Sequence, residues 1–149
     1  MDRLSSKIRI DFEINTVKID KSLIVSNDRK LLADIEGDLR IWVEGCVFFQ
    51  DEYILLLEFA VMLTNWVVKI ENRLFDDFVY ETMDYSEGPI LEFKQRPNSM
   101  WEINSIWANK VNRICFDLQE ITIAAKKFLA DFQKDLYKKY LIELRNFTS

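Results

Sequence analysis

Apolar and polar residues alternate without a break from Ile8 to Ile14, with Ile8, Ile10, Phe12 and Ile14 on one side and Arg9, Asp11 and Glu13 on the other. A repeat of two is the signature of a strand with one buried face. The phase shifts at Asn15-Thr16, because Val17 and Ile19 carry the apolar positions onward, and this predicts a bulge or turn. Ser26-Asn27-Asp28 offers a cap for a short helix through Leu31, Leu32 and Ile35, with Gly37 placed to stop it in the left-handed conformation. Leu39, Ile41 and Val43 then alternate with Arg40, Trp42 and Glu44, and Cys46-Val47-Phe48-Phe49 beyond Gly45 predicts the second arm of a hairpin.

Asp51 is spaced to cap a helix over Glu52 to Leu74, on which Glu58, Asn65, Lys69 and Asn72 form one narrow polar stripe. So thin a stripe predicts a central core helix, covered on more than one side. Four strands should follow as a meander. Their apolar sets are Phe78 and Tyr80, Leu91 and Phe93, Trp101, Ile103 and Trp107, and Ile114, Phe116 and Leu118, with turns at Asp84 to Pro89, Gln95 to Ser99 and Ala108 to Asn112. Asp117 and Glu120 have capping-box spacing, and Ile121, Ala125, Phe128, Phe132, Leu136, Tyr140 and Leu144 recur at helical intervals after them. The expected architecture is one α+β domain over residues 1–149: an antiparallel sheet of about six strands, with the central and C-terminal helices packed mainly on one face.

Composition changes this picture mainly by exclusion. The chain has 149 residues, no His and three Gly, so no Ser-His-Asp triad, Cys-His dyad or imidazole ligand can be written, and neither a P-loop nor a dinucleotide fingerprint is available. A non-catalytic protein without cofactor or metal is the expectation. Cys46 and Cys115 are too few for a four-cysteine zinc site, and in apolar stretches they read as small buried hydrophobes. The longest apolar run, Tyr53 to Leu63, is too short to span a bilayer, and residues 1–7 lack the apolar core of a signal peptide, so a cytoplasmic protein with no membrane association is expected.

Net charge is −5, but residues 119–149 sum to +2 and residues 1–118 to −7. Phosphate contacts come from Lys and Arg, so this balance argues against a nucleic-acid partner. The one catalytic arrangement left open is a metal-dependent nuclease site, with Glu92-Phe93-Lys94 on a strand, Asp84 at the end of the strand before it and Glu58 in the core helix. Adjacent carboxylates hold hard cations, and the lysine could orient a water.

The most distinctive stretch is acidic. Asp76, Asp77, Glu81, Asp84, Glu87 and Glu92 fall within seventeen residues that contain no Lys or Arg. Met83 and Tyr85 lie among them, and Trp42 points from the polar side of its own strand. Carboxylates that steer a basic protein, with aromatic and Met anchors that hold it, make a docking surface. Asp76, Asp77, Glu81, Asp84 and Glu87 are the steering residues on this reading, and Trp42, Met83 and Tyr85 the anchors. A self-associating structural domain would bury the same anchors symmetrically.

The strand Asp38-Leu39-Arg40-Ile41-Trp42-Val43, the helix core Leu55-Leu56-Leu57-Glu58-Phe59-Ala60 with Trp66, the segment Pro89-Ile90-Leu91-Glu92-Phe93, and Trp101-Glu102-Ile103 before a C-terminal helix together resemble the small acidic α+β immunity proteins of bacterial toxin systems. That resemblance implies a protein without catalytic residues that neutralises a cognate toxin, often a basic nuclease, by covering its active site.

Overall fold

In a computed structural model, residues 8–81, 90–105 and 115–148 are described. The chain forms β1 (Ile8–Ile14), α1 (Lys21–Val25), α2 (Leu31–Asp34), β2 (Glu36–Val43), β3 (Cys46–Leu55) and α3 (Leu56–Glu71). It continues through β4 (Phe78–Tyr80), β5 (Leu91–Arg96), β6 (Met100–Asn104), β7 (Cys115–Asp117) and α4 (Leu118–Tyr140). The α+β class and the two long helices agree with the pattern in the sequence.

The strands form two sheets instead of one. β1-β2-β3 make a three-stranded antiparallel sheet, and β4-β5-β6-β7 a separate four-stranded one. The reason lies in α3. With Leu56, Leu57, Phe59, Ala60, Val61, Leu63, Trp66, Val67 and Ile70 all buried, this helix has apolar surface on most of its circumference, more than one sheet can cover. It meets β2 and β3 of the first sheet, β4 of the second, and α4. Phe59 makes edge contacts with Phe78 and Tyr80 at 6.0 and 5.2 Å and with Phe128 of α4 at 5.5 Å. Trp66 contacts Phe78, Phe93 and Trp101 of the second sheet. α4 lies against β1, where Phe12 packs edge-on to Phe128 and Phe132 at 5.6 and 5.4 Å.

Helix α3 begins at Leu56, not at Glu52. Residues through Leu55 stay in the ladder with β2, pairing Asp51 with Leu39, Ile54 with Gly37 and Leu55 with Glu36. The Asp51 carboxylate accepts from Tyr53 N at 2.8 Å instead of capping a helix, and Leu56 N, the first helical donor, reaches the Ile35 carbonyl at 2.9 Å. A short apolar run fits a strand or a helix equally well, and pairing with β2 decides in favour of the strand.

Gly37 has a different role from the helix stop expected of it. It lies within β2, paired with Ile14 on one side and Ile54 on the other. A Cβ there would stand 2.1 Å from the Glu13 carbonyl oxygen and 2.7 Å from Leu56 Cδ1. The glycine permits close approach of two backbones and the start of α3. Positive φ is needed instead at Glu44 (51°) and Gly45 (83°), which make the two-residue turn between β2 and β3. That is the mirror-image turn whose twist matches a hairpin.

A helix that the pattern did not reveal, α1, is capped by Asp20, whose side chain accepts from Ser22 N at 2.9 Å. For α4 the capping box is present as read: Glu120 N reaches Asp117 Oδ1 at 3.0 Å and Asp117 N reaches Glu120 Oε1 at 3.1 Å. The helix ends at Tyr140, where Leu141 turns left-handed at φ 60°, so Leu144 is buried from a short 3-10 turn and not from the helix. Cys46 and Cys115 are exposed free thiols, contrary to the expectation of burial. Cys46 follows directly on the hairpin turn, and Cys115 alternates with buried Phe116 and therefore takes the outer side of β7.

Candidate docking loop and the faces of the second sheet

The segment between α3 and β4 is fixed in shape. At the end of α3, Leu74 N donates to the Lys69 carbonyl at 2.8 Å and Arg73 N to the Ile70 carbonyl at 3.0 Å, with Arg73 in the left-handed conformation at φ 63°. This pairing ends helices by satisfying their last carbonyls, and the apolar residue after the left-handed one commonly folds back on the helix. Leu74 occupies that position here, yet it is 56% exposed, and Phe75 beside it is 46% exposed.

Three further hydrogen bonds hold the loop that follows. Trp66 Nε1 donates to the Asp76 carbonyl at 2.8 Å, Gln95 N donates to Asp77 Oδ1 at 2.9 Å, and the Gln95 side-chain amide donates to the Phe75 carbonyl. Lys69 Nζ lies 3.6 Å from the Asp76 carboxylate, both groups being exposed. The result is a loop tied to α3 and β5 that turns Leu74 and Phe75 outward beside Asp76 and Asp77.

Of the residues singled out in the sequence, Asp76 and Asp77 sit in this loop and Glu81 lies exposed immediately after β4. Met83, Asp84, Tyr85 and Glu87 lie outside the described residues. Trp42 stands on the first sheet, half-buried, with the Arg9 guanidinium 4.7 Å above its ring. Its Nε1 and the Arg40 Nε beside it are buried with no hydrogen-bond partner among the described residues. Leu74 and Phe75 were not legible as anchors, because the apolar run led the helix through Leu74. The available signal was Asn72-Arg73, a polar pair that ends the helical register just before two consecutive apolar residues.

The nuclease arrangement does not assemble among the described residues. Leu91 and Phe93 are buried towards α3, so Glu92 and Lys94 take the opposite face of the second sheet. Glu58 is on the α3 side, where its Oε1 lies 3.5 Å from the Tyr80 hydroxyl. Ligands to one metal must converge, and these lie on two sides of a sheet. Asp84 lies outside the described residues, among which no group of three His, Cys, Asp or Glu could hold a metal ion. This weighs against the metal-dependent alternative. On the outer face, Glu102 is buried beside Arg96, whose Nε is 3.3 Å from its carboxylate.

Tyr80 is fully buried, and its phenol is pushed well above the usual tyrosine range, first by burial and then by the Glu58 carboxylate. The folded state therefore holds this proton more tightly than the unfolded chain. Its contribution to stability is whole below the ordinary value of about 10 and is lost as pH rises from there towards the folded value. Tyr140 is raised in the same direction, by burial and then by Asp135. Thermal unfolding followed from about pH 9 to about pH 11 should show a steep decline that Tyr80→Phe makes shallower; an unaltered slope would place the Tyr80 proton in the ordinary range.

A family model described as Domain of unknown function (DUF7878) matches residues 10–138. The chain belongs to that family. The match runs from β1 to the last turn of α4, so it takes in both sheets and both long helices. No curated protein and no solved structure matches the chain. No helix among the described residues is long and apolar enough to cross a membrane.

Proposed function

We propose that this chain is a cytoplasmic, non-catalytic binding protein that captures and neutralises a basic protein, in the manner of the toxin-system immunity proteins it resembles. The observation that carries this reading is the tethered loop at Leu74–Asp77: two large apolar side chains held in solvent beside two carboxylates. An apolar anchor within a charged rim divides the work of recognition, with charge raising the encounter rate and buried apolar surface slowing dissociation. Asp76, Asp77 and Glu81 supply the charge, together with Asp84 and Glu87 from the acidic segment. Leu74 and Phe75 join Met83 and Tyr85 as the anchors of this surface, whereas Trp42, on the first sheet beneath Arg9, is not brought to the loop.

The test is capture from source-cell extract with the tagged chain, followed by co-expression with the captured protein. The expected partner is basic and harmful to the cell when expressed alone, and growth is restored by this chain. Phe75→Ser with Asp76→Lys should weaken capture by about 100-fold, the loss of one anchor and reversal of one charge, while thermal unfolding shows the variant still folded. Asp77 is left intact because it also receives Gln95 N. Undiminished capture by the folded variant would remove this surface, and concentration-dependent sedimentation of the chain alone would favour self-association.

A further inference from the structure

A second surface has the opposite chemistry. Between the β1–α1 connection and the end of α4 lies an open cleft of about 470 Å³. Its walls include Val17, Ile24, Val25 and Leu141, and of these Val17, Val25 and Leu141 are 88%, 85% and 67% exposed. The Tyr140 hydroxyl donates to the Thr16 carbonyl and fastens the two sides of the cleft together. Ile19 and Tyr140 also line it, Lys18, Lys21 and Lys139 complete the lining, and among the described residues no carboxylate joins them. Two acids stand nearby and are engaged: Asp20 accepts from Ser22 N and Ser22 Oγ at the start of α1, and Asp135 lies 3.7 Å from Lys139 Nζ.

The geometry points to this cleft as a binding site for a long-chain carboxylate, its alkyl chain along the aliphatic walls and its head group at the lysines. Three observations converge on that chemistry. The aliphatic side chains are left in water to an extent that a bound hydrocarbon would relieve. Three cations line one place in a chain whose net charge is −5, Lys139 sharing its charge with Asp135 while Lys18 and Lys21 lie on the opposite wall. Five of the lining residues are aliphatic and three are lysines, with Tyr140 the one aromatic side chain and no Arg among the described residues, whereas surfaces that dock proteins favour Tyr, Trp, Phe and Arg and are depleted in Lys. The volume falls within the roughly 300–1,000 Å³ of small-molecule sites. Nothing in this assignment depends on the acidic loop, which lies between other elements.

Dodecanoate, titrated into the full chain below its critical micelle concentration and followed by calorimetry and amide chemical shifts, tests the assignment. Saturable binding that shifts residues 17–25 and 139–141 is expected, with none for dodecyltrimethylammonium, which has the same chain and the opposite charge. Lys18→Glu with Lys21→Glu should weaken binding about tenfold or more, since two reversed charges would face the carboxylate, and should leave the unfolding midpoint unchanged. Leu141→Asn, which keeps a residue tolerant of the left-handed conformation, should weaken it through the lost apolar wall; Val25→Ser serves the same purpose if the end of α4 is disturbed. Equal binding of the cationic amphiphile, or unchanged affinity in the double variant, would overturn the proposal. So would sedimentation with anionic vesicles in the absence of binding to free dodecanoate, which would make the cleft a membrane contact.

Discussion

Gly37→Ala should lower stability by about 3 kcal/mol, enough to abolish folding if the chain has only the few kcal/mol to spare that small domains often have. The added methyl would be driven into the Glu13 carbonyl oxygen at 2.1 Å and Leu56 Cδ1 at 2.7 Å. A flexible side chain could yield to such a contact, but a carbonyl within a strand ladder cannot move without breaking the pairing of Ile14 with Gly37. The collision also reaches the first residue of α3, so the sheet and the core helix are strained together. Urea unfolding would show the midpoint falling at an unchanged slope. A loss below about 1 kcal/mol would mean that β1 and β2 give way more readily than a well-packed interior should.

Phe128→Ala is expected to cost about 3–5 kcal/mol, the range for removing a fully buried aromatic ring. Phe128 has no exposed surface, and its ring lies 5.6 Å from Phe12, 5.5 Å from Phe59 and 5.7 Å from Phe132. It therefore joins α4 to β1 and to α3, and the cavity left by truncation would open where three elements meet. Ile123→Ala on the same helix provides the comparison. Ile123 is exposed, so its loss should stay within about 0.5 kcal/mol. Similar costs at the two positions would mean that α4 is not held by its buried stripe.

How much of this was legible in the sequence depended on whether a residue's role is set by its neighbours along the chain. β1 was legible because Ile8, Ile10 and Ile14 repeat at a strand interval, and α4 because its capping box and apolar stripe are both local signals. The start of α3 was not legible, since Tyr53 and Ile54 suit either a strand or a helix and pairing with Gly37 settles the matter. Gly37 was misread for the same reason: the carbonyl it accommodates is 24 residues earlier in the sequence. The division into two sheets follows from how much of α3 must be covered, a quantity fixed by packing in three dimensions. At the candidate surface, the charges of Asp76 and Asp77 could be read directly. The outward turn of Leu74 and Phe75 depends on one hydrogen bond from Trp66, earlier in the sequence, and two from Gln95, later in it.

The junction of β3 and α3 has a mechanical consequence. Leu55 closes the strand ladder and Leu56 opens the helix, with no residue between them to act as a joint. Hinges work through backbone torsions that are free to change, and here those torsions are committed to a ladder on one side and a helix on the other. The first sheet, α3 and the loop fastened beyond its far end should therefore move as one rigid body. A partner arriving at Leu74 and Phe75 would meet the same contour in the free protein as in the complex, and its association should resemble the docking of preformed shapes, without a slow rearrangement step.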